Sequence, residues 1–329
     1  MFGWNKEGSA GSLRRREWPC DFRDTDAVFI DLFHFTFLHC FTLIMKSLTL
    51  IILCCLSVSS VLYGTRGRVQ VIENGAWDYV ENRYDSAAPG RTVVTDQGTL
   101  LRSTNFWCIT FHSWAVNYAR NYQNWLRITD NGFNCVRLSV HNWTPDLYND
   151  GIHYTEEEWF KQIDQWVDWA DALGIYAIID HHEVGGHTQE WLRSFWGEVA
   201  SRYRYRTHVI YEIANEPVGW QVSQYTTQDI ADQQEIYDLI RSKAPKTHII
   251  VLSFAVPGMG MDVLAAQLNV DWTLTSVGFH GYWSSDAKPI NALKRSYPVI
   301  NTEFSSPKGT FAGSLSPYFL DGYEWQPEL

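Results

Sequence analysis

Cysteine is scarce in the main part of this chain. Only two of the six cysteines, Cys108 and Cys135, lie beyond residue 64. No cysteine or histidine spacing matches that of a structural zinc site, which excludes a zinc-stabilised module. The two thiols either form one disulfide in an oxidising compartment or are two small buried side chains on neighbouring strands. The sequence leaves both alternatives open.

Positive charge is also in short supply. The 26 Lys and Arg residues are outnumbered by 37 Asp and Glu residues, which gives a net charge of −11 at pH 7. Nucleic acid and anionic membrane surfaces are therefore disfavoured as partners, because both attract a basic surface. A neutral polymer is not repelled by an acidic protein and remains a possible partner. The sequence also shows no internal repeat, no low-complexity linker and no second domain.

The first 64 residues are expected to lie outside the folded domain. Residues 45–64 have the layout of a secretory signal, in which a lysine precedes an apolar run and small residues suited to cleavage follow. Residues 1–44 are then an upstream extension without regular structure. The alternative is a membrane anchor over residues 28–62, although charged residues such as Asp31 interrupt that span at a high cost in lipid. We therefore expect a secreted protein, and a membrane-bound one only if this segment is retained.

Residues 65–329 have the length of one (β/α)8 barrel. Short apolar runs rich in Val, Ile and Phe alternate with longer amphipathic stretches, as is typical of parallel strands covered by helices. The strands are predicted at residues 101–107, 133–140, 175–181, 208–214, 248–253, 275–280 and 297–303. Too few residues follow the seventh strand for an eighth strand with its helices. The predicted fold is therefore an α/β TIM barrel truncated after its seventh strand.

The helix between the second and third strands has the clearest signals. Thr155 and Glu158 form a capping box, and Gly174 stops the helix. Between them apolar residues, including Trp159 and Trp166, recur at spacings of three and four and predict a face packed on the strands. Further helices are predicted over Gln189–Tyr203 and Asp229–Lys243.

Two glutamates each end an apolar strand. Glu216 follows Asn215 at the end of the run 209–217, and Glu303 lies at the end of the run 297–304. Because barrel enzymes carry their reactive groups at the carboxyl ends of the strands, we expect the two carboxylates to face each other across one cleft. Such a pair can break a glycosidic bond, since one carboxyl group donates a proton and the other attacks. Other predicted strands end in further polar residues, namely Arg137, His181, His182, His280 and Tyr282.

Some of these polar residues also have structural interpretations. Arg137 could form a buried ion pair with Glu212 instead of serving a site. His181 and His182 alternate between the two faces of a strand, so at most one of them points into the cleft. That alternation weakens a metal-dependent alternative, and no metal is predicted. The ligands of that alternative would be Asp180, His181, His182 and His187.

Together these motifs resemble glycoside hydrolase family 5 over roughly residues 95–305. The resemblance implies that Glu216 is the acid/base and Glu303 the nucleophile of a retaining β-glycosidase, and that Asn215 contacts the 2-hydroxyl of the sugar. It also implies substrate-binding roles for Arg137, His182, His280 and Tyr282. The stacking tryptophan that the family carries after its eighth strand has no counterpart here. The candidates for a sugar platform are Trp114, Trp143, Trp220 and Trp283, of which Trp283 adjoins the His280 motif.

The resemblance implies a secreted, monomeric endo-β-1,4-glucanase that acts by double displacement, needs no metal or cofactor and has a β-glucan as its partner. β-Mannanase and β-1,3-glucanase activities share this chemistry and remain alternatives. An alternative of another class is a non-catalytic carbohydrate-binding protein on a damaged barrel. Aromatic residues make up 15% of the chain, which provides a large core and leaves some rings available for stacking on sugars.

Overall fold

The computed structural model of the protein describes residues 66–78, 83–108, 113–140, 154–183, 185, 188–219, 221–282 and 286–304. The predicted signal or anchor segment and the tail beyond residue 304 lie outside the described residues. Among the helices of the described part, none combines the length and the apolar character needed to cross a membrane.

The described part of the chain alternates strands with helices. The strands are β1 (Gln70–Asp78), β2 (Arg83–Val94), β3 (Ser103–Cys108), β4 (Cys135–Val140), β5 (Tyr176–His181), β6 (Val209–Glu212), β7 (Ile249–Phe254), β8 (Thr275–Gly281) and β9 (Val299–Phe304). The helices are α1 (Ser113–Ala119), α2 (Tyr122–Asp130), α3 (Glu156–Ala172), α4 (Gln189–Tyr203), α5 (Thr227–Lys243), α6 (Met261–Ala265) and α7 (Ala287–Leu293). A short 3-10 turn spans Val222–Gln224.

The strands β3 to β9 form a parallel sheet in chain order and confirm the seven predicted strands. Their ends differ from the predicted ones by no more than two residues. Parallel pairing in order brings the carboxyl ends of all seven strands to one edge of the sheet. Within the described residues no strand follows β9 in the chain. β9 pairs in parallel with β2 and not with β3, so β3 and β1 are the two edges of an open sheet. The predicted class, an α/β barrel with seven of its strands, is confirmed.

The hairpin of β1 and β2 was not predicted. The two strands are antiparallel, and β2 meets the edge of β9 through the pair Thr92 and Val299. Val69 and Val93 pack with the inner side chains at the starts of β4 to β7, so the hairpin covers that end of the sheet. Two register shifts interrupt β1 on either side of Asn74. These shifts break the alternation of apolar and polar residues on which strand prediction depends.

The two faces of the parallel sheet have different roles. On β4, Val136 and Leu138 belong to the large outer core with the helices, whereas Cys135 belongs to a smaller inner core with Ile178 and Ile210. Because side chains alternate along a strand, Arg137 points to the inner side beyond Cys135. The inner face is therefore apolar at the starts of these strands and polar at their carboxyl ends.

The two cysteines are buried and free. Cys135 pairs with Ser103 and Cys108 pairs with Val140, so the thiols lie five positions apart along adjacent strands (108 − 103). At about 3.3 Å per residue this places them roughly 16 Å apart, well beyond the reach of a disulfide. The disulfide alternative is wrong, and the alternative of two small buried side chains is confirmed. Burial raises the pKa of the Cys135 thiol to about 12.

The signals at the ends of α3 are confirmed. Thr155 Oγ1 accepts a hydrogen bond from the Glu158 backbone N–H at 3.3 Å, and Glu158 Oε2 accepts one from the Thr155 N–H at 2.9 Å. Gly174 has a φ of +65°, a conformation that favours glycine after a helix. Trp159 and Trp166 are fully buried, as their spacing predicted.

Tyr176, the first residue of β5, connects the segment before β1 and the segment after β2 to the parallel sheet. The Tyr176 hydroxyl lies 2.9 Å from the Gly67 carbonyl oxygen and 2.9 Å from Asp96 Oδ1, and it accepts a hydrogen bond from the Asp96 N–H at 3.0 Å. Tyr176→Phe is expected to lower the free energy of unfolding by about 1–3 kcal/mol, because three polar groups lose their shared partner. Urea unfolding measures this change. Tyr205→Phe is the matched control, since that ring is 55% exposed, and equal losses in the two variants would contradict the prediction.

Candidate active site

A buried arginine connects four strands at the polar edge of the sheet. Arg137 Nε donates to Glu212 Oε2 at 2.7 Å, Nη1 donates to Glu303 Oε2 at 3.1 Å, and Nη2 donates to Asn215 Oδ1 at 2.7 Å. Nη2 also lies 2.9 Å from Asp180 Oδ2. Burial by itself lowers the pKa of Arg137, but the three carboxylates outweigh it and raise the pKa above its ordinary value. The guanidinium is therefore a fixed positive charge in the interior.

Glu303 is held by donors on two sides. Its Oε2 accepts from Arg137, and its Oε1 accepts a hydrogen bond from the hydroxyl of Tyr282. Burial raises the pKa of Glu303, but His280, Arg137, Tyr282 and His182 together lower it to about 2. The side chain remains 24% exposed. Glu303 is thus ionised across the neutral range and open to a ligand.

Glu216 lies on the same edge in different surroundings. Its Oε1 is 2.9 Å from His280 Nδ1, and the residue is only 7% exposed. Its backbone N–H donates to the Glu183 carbonyl oxygen at 3.1 Å, and its own carbonyl oxygen accepts from the Gly185 N–H at 2.7 Å. His280 pairs in sheet register with Glu303. The same histidine therefore contacts one glutamate and neighbours the other, which places both carboxylates in one cluster.

His181, the last residue of β5, and His182, which follows it, face opposite sides, as the alternation predicted. His182 Nδ1 lies 2.7 Å from Asp180 Oδ2 in the inner cluster. His181 packs against the Phe195 ring of α4, with ring centres 4.9 Å apart. Burial, assisted by the charge of Arg137, lowers the pKa of His182 to about 3, so this ring is neutral. Burial also raises the pKa of Asp180 well above its ordinary value.

The structure brings seven of the eight residues proposed from the sequence to one edge of the sheet. They are Arg137, His182, Asn215, Glu216, His280, Tyr282 and Glu303. The eighth, Trp283, lies outside the described residues, as do the other platform candidates Trp143 and Trp220 and the side chain of Trp114.

The metal alternative receives no support from this geometry. The described residues contain no group of three or more His, Cys, Asp or Glu side chains that could hold a metal ion. His181 and His182, two of its proposed ligands, lie on opposite faces of β5. A third, His187, lies outside the described residues.

Three further residues, Asp180, Glu212 and Ser253, complete the cluster. The sequence suggested Asp180 only as a ligand of the metal alternative and Glu212 only as a structural ion-pair partner of Arg137, and that ion pair is confirmed. Asp180 and Glu212 pair in register on adjacent strands and contact Arg137 from the inner face. Strand alternation could have placed Asp180, since it lies two positions before His182. Ser253 donates to Glu212 Oε1 at 2.7 Å. No sequence signal points to Ser253, because a register shift in β7 breaks the alternation there.

Fold and cluster together define a parallel α/β barrel protein that carries two glutamates and a buried arginine at the carboxyl ends of its strands. The family model for Cellulase (glycosyl hydrolase family 5) matches residues 95–307, which is most of the described part. The chain belongs to this family.

Known proteins similar to this chain include endoglucanases. Endoglucanase E-5 of Thermobifida fusca is 28% identical over 203 residues, which cover 57% of this chain and 41% of that protein. Endoglucanase N of Pectobacterium atrosepticum is 32% identical over 148 residues, which cover 42% of this chain and 30% of that protein. The matched part thus spans only 30% to 41% of the length of these two curated relatives.

A solved structure supports the fold assignment. The native β-glucanase SdGluc5_26A from Saccharophagus degradans superposes with a TM-score of 0.56 at 19% identity, covering 79% of this chain and 82% of that one. Identity at this level bears on the fold alone.

Proposed function

We propose that this protein is a retaining glycoside hydrolase that cleaves β-1,4-glucan chains internally. One observation carries the proposal: two glutamates share one cluster and are held by different groups. Glu303 accepts hydrogen bonds from Arg137 and Tyr282, and the nearby His280 together with these two groups favours its ionised form. Glu216 is paired with His280 instead. A carboxylate that attacks and a carboxyl group that donates a proton need such unlike surroundings.

The chemistry follows from these positions in two displacements. Glu303 attacks the anomeric carbon and forms a covalent glycosyl-enzyme, while Glu216 protonates the departing oxygen. Glu216 then removes a proton from water, and the hydroxide oxygen attacks the same carbon and releases Glu303. Both steps use only the side chains of this chain and water.

Asn215 is suited to bind the sugar next to the reacting carbon. Its Oδ1 accepts from Arg137 Nη2 at 2.7 Å, which leaves the amide N–H groups as donors for a sugar hydroxyl. A donor at this position gains strength as charge develops on the ring, so it contributes to the transition state more than to the ground state. We assign His182, His280, Tyr282 and Trp283 to the lining of the same subsite.

The substrate class rests on the relatives and on charge. The relatives named above are endoglucanases, and a neutral glucan meets no repulsion from a chain of net charge −11. An extracellular location fits a polymeric substrate that cannot enter a cell, and we propose secretion through residues 45–64.

A panel of soluble polysaccharides tests this function. New reducing ends are measured on a β-1,4-glucan, a β-1,4-mannan and a β-1,3-glucan, and the fall in viscosity separates internal cleavage from cleavage at chain ends. The proposal expects the largest rate and a rapid fall in viscosity on the β-1,4-glucan, with the β-anomer as the first product by NMR. A preference for mannan or β-1,3-glucan would change the substrate. Binding to a glycan with no new reducing ends would replace the hydrolase by a carbohydrate-binding protein.

Tyr282→Phe tests whether the hydrogen bond from the Tyr282 hydroxyl assists Glu303 as the nucleophile. Removing the hydroxyl takes away one donor to Glu303, so the pKa of that carboxyl should rise and its attack should become less well aligned. We expect kcat to fall about tenfold and the acidic limb of kcat/KM to move to higher pH. Tyr297→Phe, at a half-buried tyrosine that packs on Trp272, is the control. An unchanged acidic limb would contradict the role of Tyr282.

A further inference from the structure

One strand beside the cluster has strained backbone. Among the described residues, Leu252 on β7 is the one non-glycine residue with a positive φ, at +67°. The pairing of β7 with β8 shifts register between Val251 and Phe254, on either side of it. Two side chains hold this conformation: Gln233 Oε1 accepts from the Leu252 N–H at 3.3 Å, and the Tyr225 hydroxyl donates to its carbonyl oxygen at 2.8 Å. Strained backbone persists only where its surroundings fix it, and it concentrates at functional sites.

The register shift at Leu252 places the next residue, Ser253, on the inner side of the sheet. Ser253 Oγ donates to Glu212 Oε1 at 2.7 Å, and both residues are fully buried. The neighbouring strand leaves room for this hydroxyl because it carries a glycine there. A Cβ atom at Gly278 would lie 2.4 Å from Ser253 Oγ and 2.8 Å from the Ile250 side chain. The register shift at Leu252 and the glycine at position 278 are thus both needed to place the Ser253 hydroxyl beside Glu212.

Glu212 connects Ser253 to the guanidinium of Arg137. One of its oxygens accepts from Ser253, and the other accepts from Arg137 Nε at 2.7 Å. The guanidinium is a rigid planar fork, so the bond at Nε also sets where Nη1 and Nη2 point. Those two nitrogens contact Glu303 and Asn215. A rotation of the Glu212 carboxylate would therefore turn Arg137 away from both.

We propose that Ser253 is a positioning residue, which holds Glu212 in the orientation that aims Arg137 at Glu303 and Asn215. Its kinetic consequence rests on the proposed function. Its structural consequence does not rest on that function. Ser253 is linked to Glu303 through Glu212 and Arg137, and these hydrogen bonds exist whatever the substrate is. Without the hydroxyl, the buried Glu212 Oε1 loses its donor, and the carboxylate rotates to find another.

The test compares Ser253→Ala with Ser276→Ala in the full chain. Ser276 is the matched control, because it is also fully buried and hydrogen-bonds His248 at 2.9 Å, away from Glu212. In Ser253→Ala we expect kcat to fall about tenfold while KM stays within about twofold. The ionisation of Glu303 is followed by NMR with carbon-13 in the glutamate carboxyl groups, and its midpoint should rise by about half a unit or more. Ser276→Ala should change neither quantity.

A double-variant cycle shows whether the effect passes through Glu212. Once Glu212→Gln has removed the carboxylate, adding Ser253→Ala should change kcat and the Glu303 midpoint much less than it does alone. Equal effects in both backgrounds, or a Glu303 midpoint in Ser253→Ala equal to that of Ser276→Ala, would overturn the proposal. If the unchanged protein hydrolyses no glycan, the proposed function is wrong. The NMR midpoints still decide the role of Ser253 in that case.

Discussion

Glu303→Gln is expected to lower kcat on a soluble β-1,4-glucan by at least about 10⁴-fold while the protein stays folded. The amide has nearly the shape of the carboxylate but cannot ionise, so no covalent glycosyl-enzyme forms. The native side chain is ionised well below neutral pH, with a pKa of about 2, and the whole loss should therefore be visible at pH 7. Release of reducing ends measures the rate, and thermal unfolding checks the fold.

Glu216→Gln should show a different pattern of losses. On the polysaccharide we expect kcat to fall about 10²- to 10⁴-fold, because the departing sugar oxygen needs a proton. On an aryl glycoside with an acidic phenol as leaving group, the first displacement should be nearly normal, since that group leaves without a proton. Glu303→Gln should be inactive on both substrates. Glu198→Gln, at an exposed position on α4, is the control and should match the unchanged protein. Near-normal turnover of a β-glycan in either Glu303→Gln or Glu216→Gln would falsify the assignment.

Arg137→Met is expected to have the largest effect on stability. The side chain is 1% exposed, and its loss leaves Asp180, Glu212 and Glu303 together without their cation. Removing one partner of a buried ion pair lowers the free energy of unfolding by about 3–5 kcal/mol, because the remaining charge is not solvated. Urea unfolding at pH 7 measures the loss. Arg202→Met is the matched control, since its ion pairs with Asp164 and Glu198 are about one-third exposed and should contribute no more than about 1 kcal/mol.

The loss in Arg137→Met should shrink as the pH falls. In the unchanged protein the folded-state pKa of Glu303 is depressed, so the stability it contributes is present above about pH 4 and is lost as the pH falls through about 2. In the variant the pKa of Glu303 should rise toward its unfolded value, because Arg137 is one of the groups that lower it. The pKa of Asp180, which burial already raises in the unchanged protein, should rise further. The folded variant then binds more protons than the unfolded chain, and its stability rises as the pH falls. A difference between the two proteins that is constant from pH 7 to pH 4 would contradict a purely electrostatic cause.

Periodicity and strand-end chemistry predicted the parts of the fold that follow local rules. The seven parallel strands have short β-branched runs covered on both faces, and α3 has both end signals, so each could be read from its own residues. The hairpin of β1 and β2 could not, because two register shifts remove its alternation. The separation of Cys108 from Cys135 also required the pairing of β3 with β4.

The candidate site also has a part that the sequence predicts and a part that only the structure shows. Glu216, Glu303 and Arg137 were predicted because parallel strands in chain order bring their carboxyl ends to one edge, whatever the detailed packing. Among the partners of Arg137, Glu212 was suggested by the sequence, but the full set was not predictable, since it comes from three other strands and depends on side-chain direction. Ser253 depends on a single residue with positive φ, which no pattern in the sequence marks.

The sequence by itself determined the order of the strands, the edge at which polar residues gather and the identity of the two glutamates, because these follow from residue type and spacing along the chain. Only the tertiary structure decided which donors each carboxylate receives and that one buried arginine contacts three of them. The physical reason is that ionisation in a protein interior depends on distances of about 3 Å between groups far apart in sequence. Such distances are set by the packing of the whole sheet.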